Sequence, residues 1–256
     1  MELLFLGTGA ADWPQNQPVE ATDIRRMTST LLDDSTLIDC GPDAYGYYCY
    51  LGKDPSKITD VILSHSHGDH INFGELKKFA EASGHIRFWC DVVAKAKVDA
   101  QNIDGVEAIA VTPYEEVEIN GYKVMPLVAN HFEGETDEKP LHYIIENDGK
   151  KLFYGCDGAM FLGRTWFILR SAKLDCVILD CTSGDFIDHL RFGTHNSIPM
   201  VKLIVQAMRE RKVLGENSKV VASHLARTLH TSHAETAELL AKDNIITAYD
   251  GMTLTV

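Results

Sequence analysis

The sequence predicts an α/β or α+β protein in which helices cover β-sheets. Three observations carry that prediction. Short apolar runs bounded by turn residues recur along the whole chain. Segments of helical period lie between some of them. The spacings call for both hairpin and crossover connections, which together build sheets with helices packed on them. The 256 residues are 45% apolar and 24% charged, ordinary globular values that allow a full core. No linker, repeat or low-complexity tract interrupts them, so one domain over residues 1–256 is expected, with two similar halves as the variant.

Ten runs read as strands: residues 3–6, 37–40, 61–64, 86–90, 122–128, 141–145, 151–154, 177–180, 220–223 and 252–256. The clearest helix is 200–212. Val201, Ile204, Val205 and Met208 form one apolar stripe, Pro199 suits the first turn, and Ser197 stands where a cap belongs. Ser232-His233-Ala234-Glu235 is a capping-box pattern that opens a second helix through Leu240. Residues 75–82 and 91–100 give two more. Gly7-Thr8-Gly9 follows the first strand, but Asp12 stands where a dinucleotide fingerprint needs its third glycine. A tight strand-exit turn is the better account.

Charge narrows the partners. Lys and Arg number 24 against 37 Asp and Glu, a net charge of −13. Such a balance argues against long nucleic acid or an anionic membrane, which need clustered cations. No apolar run approaches the roughly 18–20 residues of a membrane helix. The start, Met1-Glu2-Leu3-Leu4, has no basic region of the signal-peptide kind. Six cysteines form no C-x-x-C pair and sit mostly in apolar segments, so buried free thiols and a cytoplasmic location are expected.

The 11 histidines are about twice ordinary usage. Three of them fall in Ser64-His65-Ser66-His67-Gly68-Asp69-His70, directly after an apolar strand. In an extended segment, residues two apart point the same way, so His65 and His67 can grip one ion. Asp69 and His70, past Gly68, can face a second. Imidazole and carboxylate suit Zn²⁺, Mn²⁺ or Fe²⁺. Structural zinc sites favour cysteine, and none lies near, so a catalytic metal is expected.

This H-x-H-x-D-H stretch resembles the signature of the metallo-β-lactamase superfamily. The opening Leu4-Phe5-Leu6-Gly7-Thr8-Gly9, then Arg25-Arg26-Met27-Thr28-Ser29 and Leu37-Ile38-Asp39-Cys40-Gly41-Pro42-Asp43, resemble further segments of its phosphodiesterase branch. The resemblance implies a four-layer αββα sandwich with a dinuclear metal site at its rim. It assigns His65, His67 and His131 to one ion and Asp69, His70 and His224 to the other. Asp157 would bridge, beside a water or hydroxide that acts as the nucleophile. His230 and His233 are rival candidates for the last ligand. Gly193-Thr194-His195-Asn196-Ser197 resembles the branch motif that holds a histidine over the metals, giving His195 the role of general acid or phosphate stabiliser. A helix-start residue is the plainer reading of His195. Asp39 and Asp180, each after a strand, are read as orienting ligand histidines or as turn carboxylates. The five remaining histidines, His85, His142, His189, His230 and His233, need no special role.

Two divalent cations against Asp69, Asp157 and a hydroxide leave one net positive charge in an acidic protein. A small phosphodiester is therefore the expected substrate. Loops 13–20 and 132–140 are expected to wall the pocket. The second carries Glu133, Glu135, Asp137 and Glu138, read either as a barrier to RNA or as a solvated surface. The branch's cysteine-rich zinc insertion is absent after Gly9, and no basic arm of the ribonuclease Z kind is present. The same ligands also allow thioester, lactone or β-lactam hydrolysis, or metal and small-molecule binding without turnover. A homodimer is compatible with the sequence.

Overall fold

The computed structural model describes residues 1–132, 134, 136–186 and 193–256. Fourteen strands are defined among them: β1 (Glu2–Gly7), β2 (Ser29–Leu32), β3 (Thr36–Ile38), β4 (Asp60–Ile62), β5 (Ile86–Cys90), β6 (Val106–Ala110), β7 (Val117–Ile119), β8 (Tyr122–Val128), β9 (Leu141–Asn147), β10 (Lys150–Gly155), β11 (Leu174–Asp180), β12 (Leu214–Ser223), β13 (Ile246–Thr247) and β14 (Thr253–Thr255). They form two seven-stranded sheets, in the orders β14-β1-β2-β3-β4-β5-β6 and β13-β12-β11-β10-β9-β8-β7. The helices are α1 (Ala44–Tyr50), α2 (Phe73–Ser83), α3 (Val92–Asp99), α4 (Gly163–Leu169), α5 (Ile198–Glu210) and α6 (His233–Ala241).

Strand alternation builds the layers. Leu3 and Phe5 of β1, with Ile62 of β4, face Tyr143, Leu152, Tyr154 and Ile178 of the other sheet. Leu4, Leu6, Val61 and Leu63 point the opposite way, onto Tyr48 of α1, Leu76 and Phe79 of α2 and Ala94 of α3. Phe153, Val177 and Leu179 pack against Leu169 of α4, Val201 and Ile204 of α5 and Leu240 of α6. Two sheets enclosed by two helical layers are the predicted αββα sandwich.

All ten predicted strands overlap an observed one, and the four predicted helices are α2, α3, α5 and α6. The stripe of α5 is buried as expected, and Ser232 and Glu235 complete the capping box on α6. Ser197 does stand at the start of α5, but its side chain makes no capping bond. Five cysteines are buried; Cys49, on α1, is exposed, against expectation. Gly7 and Gly9 serve close packing. A Cβ on Gly7 would lie 1.8 Å from the Met27 carbonyl oxygen, so only glycine lets that segment approach β1.

The topology gathers strand ends. β3 and β4 are parallel, as are β10, β11 and β12. Asp180 pairs with Ser223, so β11 and β12 end level. Leu141 N–H donates to the Ser64 carbonyl at 2.9 Å, and Leu225 N–H to that of Thr8 at 2.9 Å. These bonds join the exits of the two sheets along one rim.

Candidate active site

Every predicted ligand leaves a strand end at that rim. His65, His67, Asp69 and His70 follow β4, His131 follows β8, Asp157 follows β10 and His224 follows β12. Asp157 and His224 have φ of 62° and 59°, as does Asp39 after β3, at 60°. Left-handed backbone at three non-glycine residues turns each side chain sharply off its strand. Such strain persists where surrounding structure enforces it.

Among the described residues three overlapping groups of side chains converge, with the nearest atoms within each group inside 4.8 Å of one another; two hold only predicted ligands, and the third joins Asp157 and His224 to Asp180 and His195. In the first, His67 Nδ1 lies 2.8 Å from His65 Nε2 and 3.1 Å from His131 Nε2, and Asp157 Oδ2 lies 3.4 Å from His65 Nε2. In the second, His70 Nε2 lies 3.1 Å from His224 Nε2, and Asp69 Oδ2 lies 3.2 Å from His224 Nε2. Asp157 Oδ2 is 3.2 Å from His70 Nε2, so one carboxylate oxygen faces both groups.

The opposite ring nitrogens explain the facing ones. His70 Nδ1 donates to Asp39 Oδ2 at 2.8 Å, and His131 Nδ1 to the Thr194 carbonyl at 3.0 Å. Thr182 Oγ1 donates to Asp180 Oδ2 at 2.8 Å, leaving it to accept from His224 Nδ1 at 2.7 Å. Ser64 Oγ likewise donates to Asp39 and accepts from His65 Nδ1. Each bond puts a lone pair on the inward Nε2. Inward lone pairs about 3 Å apart repel unless a cation sits among them. The donor set thus fits divalent metal, as nitrogen and oxygen ligands without cysteine do.

His195 lies beside both groups. Its Nδ1 donates to Asp180 Oδ2 at 3.1 Å. Asp157 Oδ1 is nearer, at 2.8 Å, and has no hydrogen-bond partner. His195, His67, Asp69, Asp157 and His224 line a cavity of about 440 Å³, together with Ala10, Gln15 and Met27.

A family model described as the β-lactamase superfamily domain matches residues 35–216. That is well over half of the chain and includes every predicted ligand except His224. The chain belongs to the metallo-β-lactamase superfamily. A diphosphatase from the PhnP family superposes with a TM-score of 0.76 at 21% identity, covering 100% of this chain and 97% of that one. The metallo-β-lactamase fold protein YhfI from Bacillus subtilis gives 0.74 at 17% identity, covering 99% of both chains. A ribonuclease Z from Streptococcus pyogenes is 29% identical over 151 residues, 58% of this chain and 43% of that one. The chain matches less than half the length of such curated relatives.

In this superfamily member burial and neighbouring charges oppose one another along the rim. Burial pushes the Asp69 carboxyl up, yet His70 and His224 outweigh it and bring it down to about 2. Burial pushes His195 down, but Asp157 and Asp180 reverse that and raise it to about 10. His65 is held well below its usual range, first by burial and then by His70.

Other expectations resolve differently. His230 Nε2 donates to the Cys181 carbonyl at 2.6 Å, and His233 Nδ1 accepts from Arg25 Nη2 at 2.9 Å. Neither joins a metal-type group among the described residues. Arg25 also donates to Thr8 Oγ1 and the Ala248 carbonyl, and Arg26 pairs with Asp250. The Arg25-Arg26 segment therefore braces the β1 exit and does not enter the site cavity. Of loop 13–20 only Gln15 lines that cavity, and of loop 132–140 no described residue does. Asp137 is exposed, whereas Glu138 is buried and pairs with Lys97 at 2.9 Å. Glu133, Glu135 and His189 lie outside the described residues.

Proposed function

We propose that the protein is a dinuclear metal-dependent phosphodiesterase acting on small or cyclic phosphodiesters. The single observation that carries this reading is Asp157 Oδ2 facing two histidine–aspartate groups at once. His65, His67 and His131 would hold one ion, Asp69, His70 and His224 the other, and Asp157 both. When bound, two divalent ions (Zn²⁺, Mn²⁺ or Fe²⁺) supply Lewis acidity and an activated water.

The chain's own groups do the rest. Asp39, Thr182 and the Thr194 carbonyl hold His70, His224 and His131 in the tautomers that present Nε2 inward. Asp180 holds His195 by Nδ1, which leaves Nε2 to donate a proton to the leaving oxygen or a hydrogen bond to a phosphoryl oxygen. Both sheets supply the site, which supports residues 1–256 working as one domain. The relatives' names, a ribonuclease and a diphosphatase, both denote cleavage at phosphorus. A net charge of −13 and a cavity of about 440 Å³ favour a small diester over a long polyanion. The six cysteines, all free, and the absence of any described helix able to cross a membrane support a reducing, cytoplasmic setting.

The test is turnover of bis-p-nitrophenyl phosphate by protein loaded with Mn²⁺ or Zn²⁺, with metal content measured. Hydrolysis that disappears in Asp157→Ala supports the reading. No turnover with both metals bound, or a preference for thioester, lactone or β-lactam substrates, overturns it.

A further inference from the structure

Between the two histidines of the His65-Ser66-His67 arm, Ser66 is gripped from outside the metal groups. Its N–H donates to Glu138 Oε1 at 2.6 Å and its Oγ to Glu138 Oε2 at 2.5 Å. Lys97 Nζ, from α3, donates to Ser66 Oγ at 2.6 Å and to Glu138 Oε2 at 2.9 Å. The Glu138 side chain is fully buried, whereas Lys97 keeps about a third of its surface exposed. A buried carboxylate is costly unless it is paired and bonded, and Glu138 is both. Its two oxygens fix the backbone and the side chain of the residue between the two histidines.

Glu138 sits seven residues after His131, in the same loop. One end of that loop delivers His131 to the first group. The other end locks the arm that delivers His65 and His67. Among the described residues the second group is held differently: His70 and His224 are bonded by Asp39 and Thr182.

We propose that Glu138, neutralised by Lys97, is the positioning residue of the first metal site, and that it acts through Ser66 on His65 and His67 without touching the second site. The proposal rests on the dinuclear reading above. Groups that orient metal ligands typically contribute about 10–100-fold to metal affinity. That factor should fall on one ion only.

The experiment is Zn²⁺ affinity by competition with a chelating dye, in wild type and in His131→Ala and His224→Ala backgrounds. Each background leaves one site intact. Glu138→Gln is then added to each. In His224→Ala, where the first site remains, it should weaken Zn²⁺ about 10–100-fold. In His131→Ala, where the second remains, affinity should stay unchanged. Ser66→Ala and Lys97→Met should repeat the selectivity more weakly, and they serve if Glu138→Gln does not fold. Equal loss in both backgrounds, alongside a lowered apo-protein Tm, makes Glu138 merely structural and overturns the proposal. So does no loss in either. A wild type that binds no Zn²⁺ overturns the dinuclear reading instead.

Discussion

His70 donates its Nδ1 proton to Asp39 Oδ2 across 2.8 Å, and this bond decides which nitrogen faces Asp69, Asp157 and His224. Both residues are fully buried. Asp39 also accepts from Ser64 N–H at 2.7 Å, so one carboxylate fixes the chain before His65 and the ring of His70. Asp39→Ala should lower Zn²⁺ affinity about 10–100-fold. Asp39→Asn should lower it less, because its amide oxygen still accepts from Nδ1. Chelator competition checks both, and equal affinity in all three proteins would contradict the role given to Asp39.

His195 is expected to separate chemistry from metal binding. It is held by Asp180 and faces the cavity, and the His65–His67 and His70–His224 contacts are made without it. His195→Ala should cut kcat on bis-p-nitrophenyl phosphate by about 10²–10⁴-fold, the usual worth of a general acid. Metal content should be unchanged. Asp157→Ala should lose both. Metal analysis beside steady-state kinetics distinguishes them, and a His195 variant that turns over at the wild-type rate removes it from the mechanism.

The H-x-H-x-D-H stretch was legible because its ligands are adjacent in sequence and its geometry is that of an extended exit from a strand. Apolar runs such as Ile86–Cys90 and Tyr122–Val128 were legible for the same local reason. Strand β6 was not, because it is half exposed along Val106–Ala110 and carries a glutamate. Helix α1 has no capping side chain and an aromatic-rich sequence, and α4 also lacks a cap, so propensity marked neither. The left-handed turns at Asp39, Asp157 and His224 were not legible, because Asp and His favour that region too weakly to mark a position. Glu138 was read with its neighbours as a barrier to RNA or a solvated surface, whereas in the fold it is buried and bonded to Lys97 and Ser66.

His230, outside the converging histidine–aspartate groups, gives a pH dependence of its own. Burial, and then Arg25, hold its imidazole below its ordinary value of 6.5, although the Cys181 carbonyl opposes them. Nε2 donates to that carbonyl, and the buried Nδ1 has no hydrogen-bond partner to receive a second proton's charge. The unfolded chain therefore binds a proton that the folded chain resists. Stability from this residue is present above pH 6.5 and declines as pH falls below it. His230→Gln keeps a donor but cannot titrate. Urea unfolding should show the wild-type advantage over this variant shrinking between pH 7.5 and pH 5.5. An advantage that stays constant would mean the ring titrates alike in both states.

Metal removal should cost stability as well as turnover. The five inward nitrogens and two carboxylates are fixed in the fold and scattered in the unfolded chain, so cations held by them would bind the folded state preferentially. At a thousandfold excess over Kd, each site adds about 4 kcal/mol. For a chain of this length that is a Tm shift of about 8–16 °C per ion. EDTA should therefore lower Tm steeply, and Zn²⁺ or Mn²⁺ should restore it. His224→Ala should keep only part of the shift, since one group remains. Calorimetry with and without chelator measures this directly. A Tm indifferent to metal in the wild type, at saturating Zn²⁺, would mean that the two groups hold no ion in the folded protein.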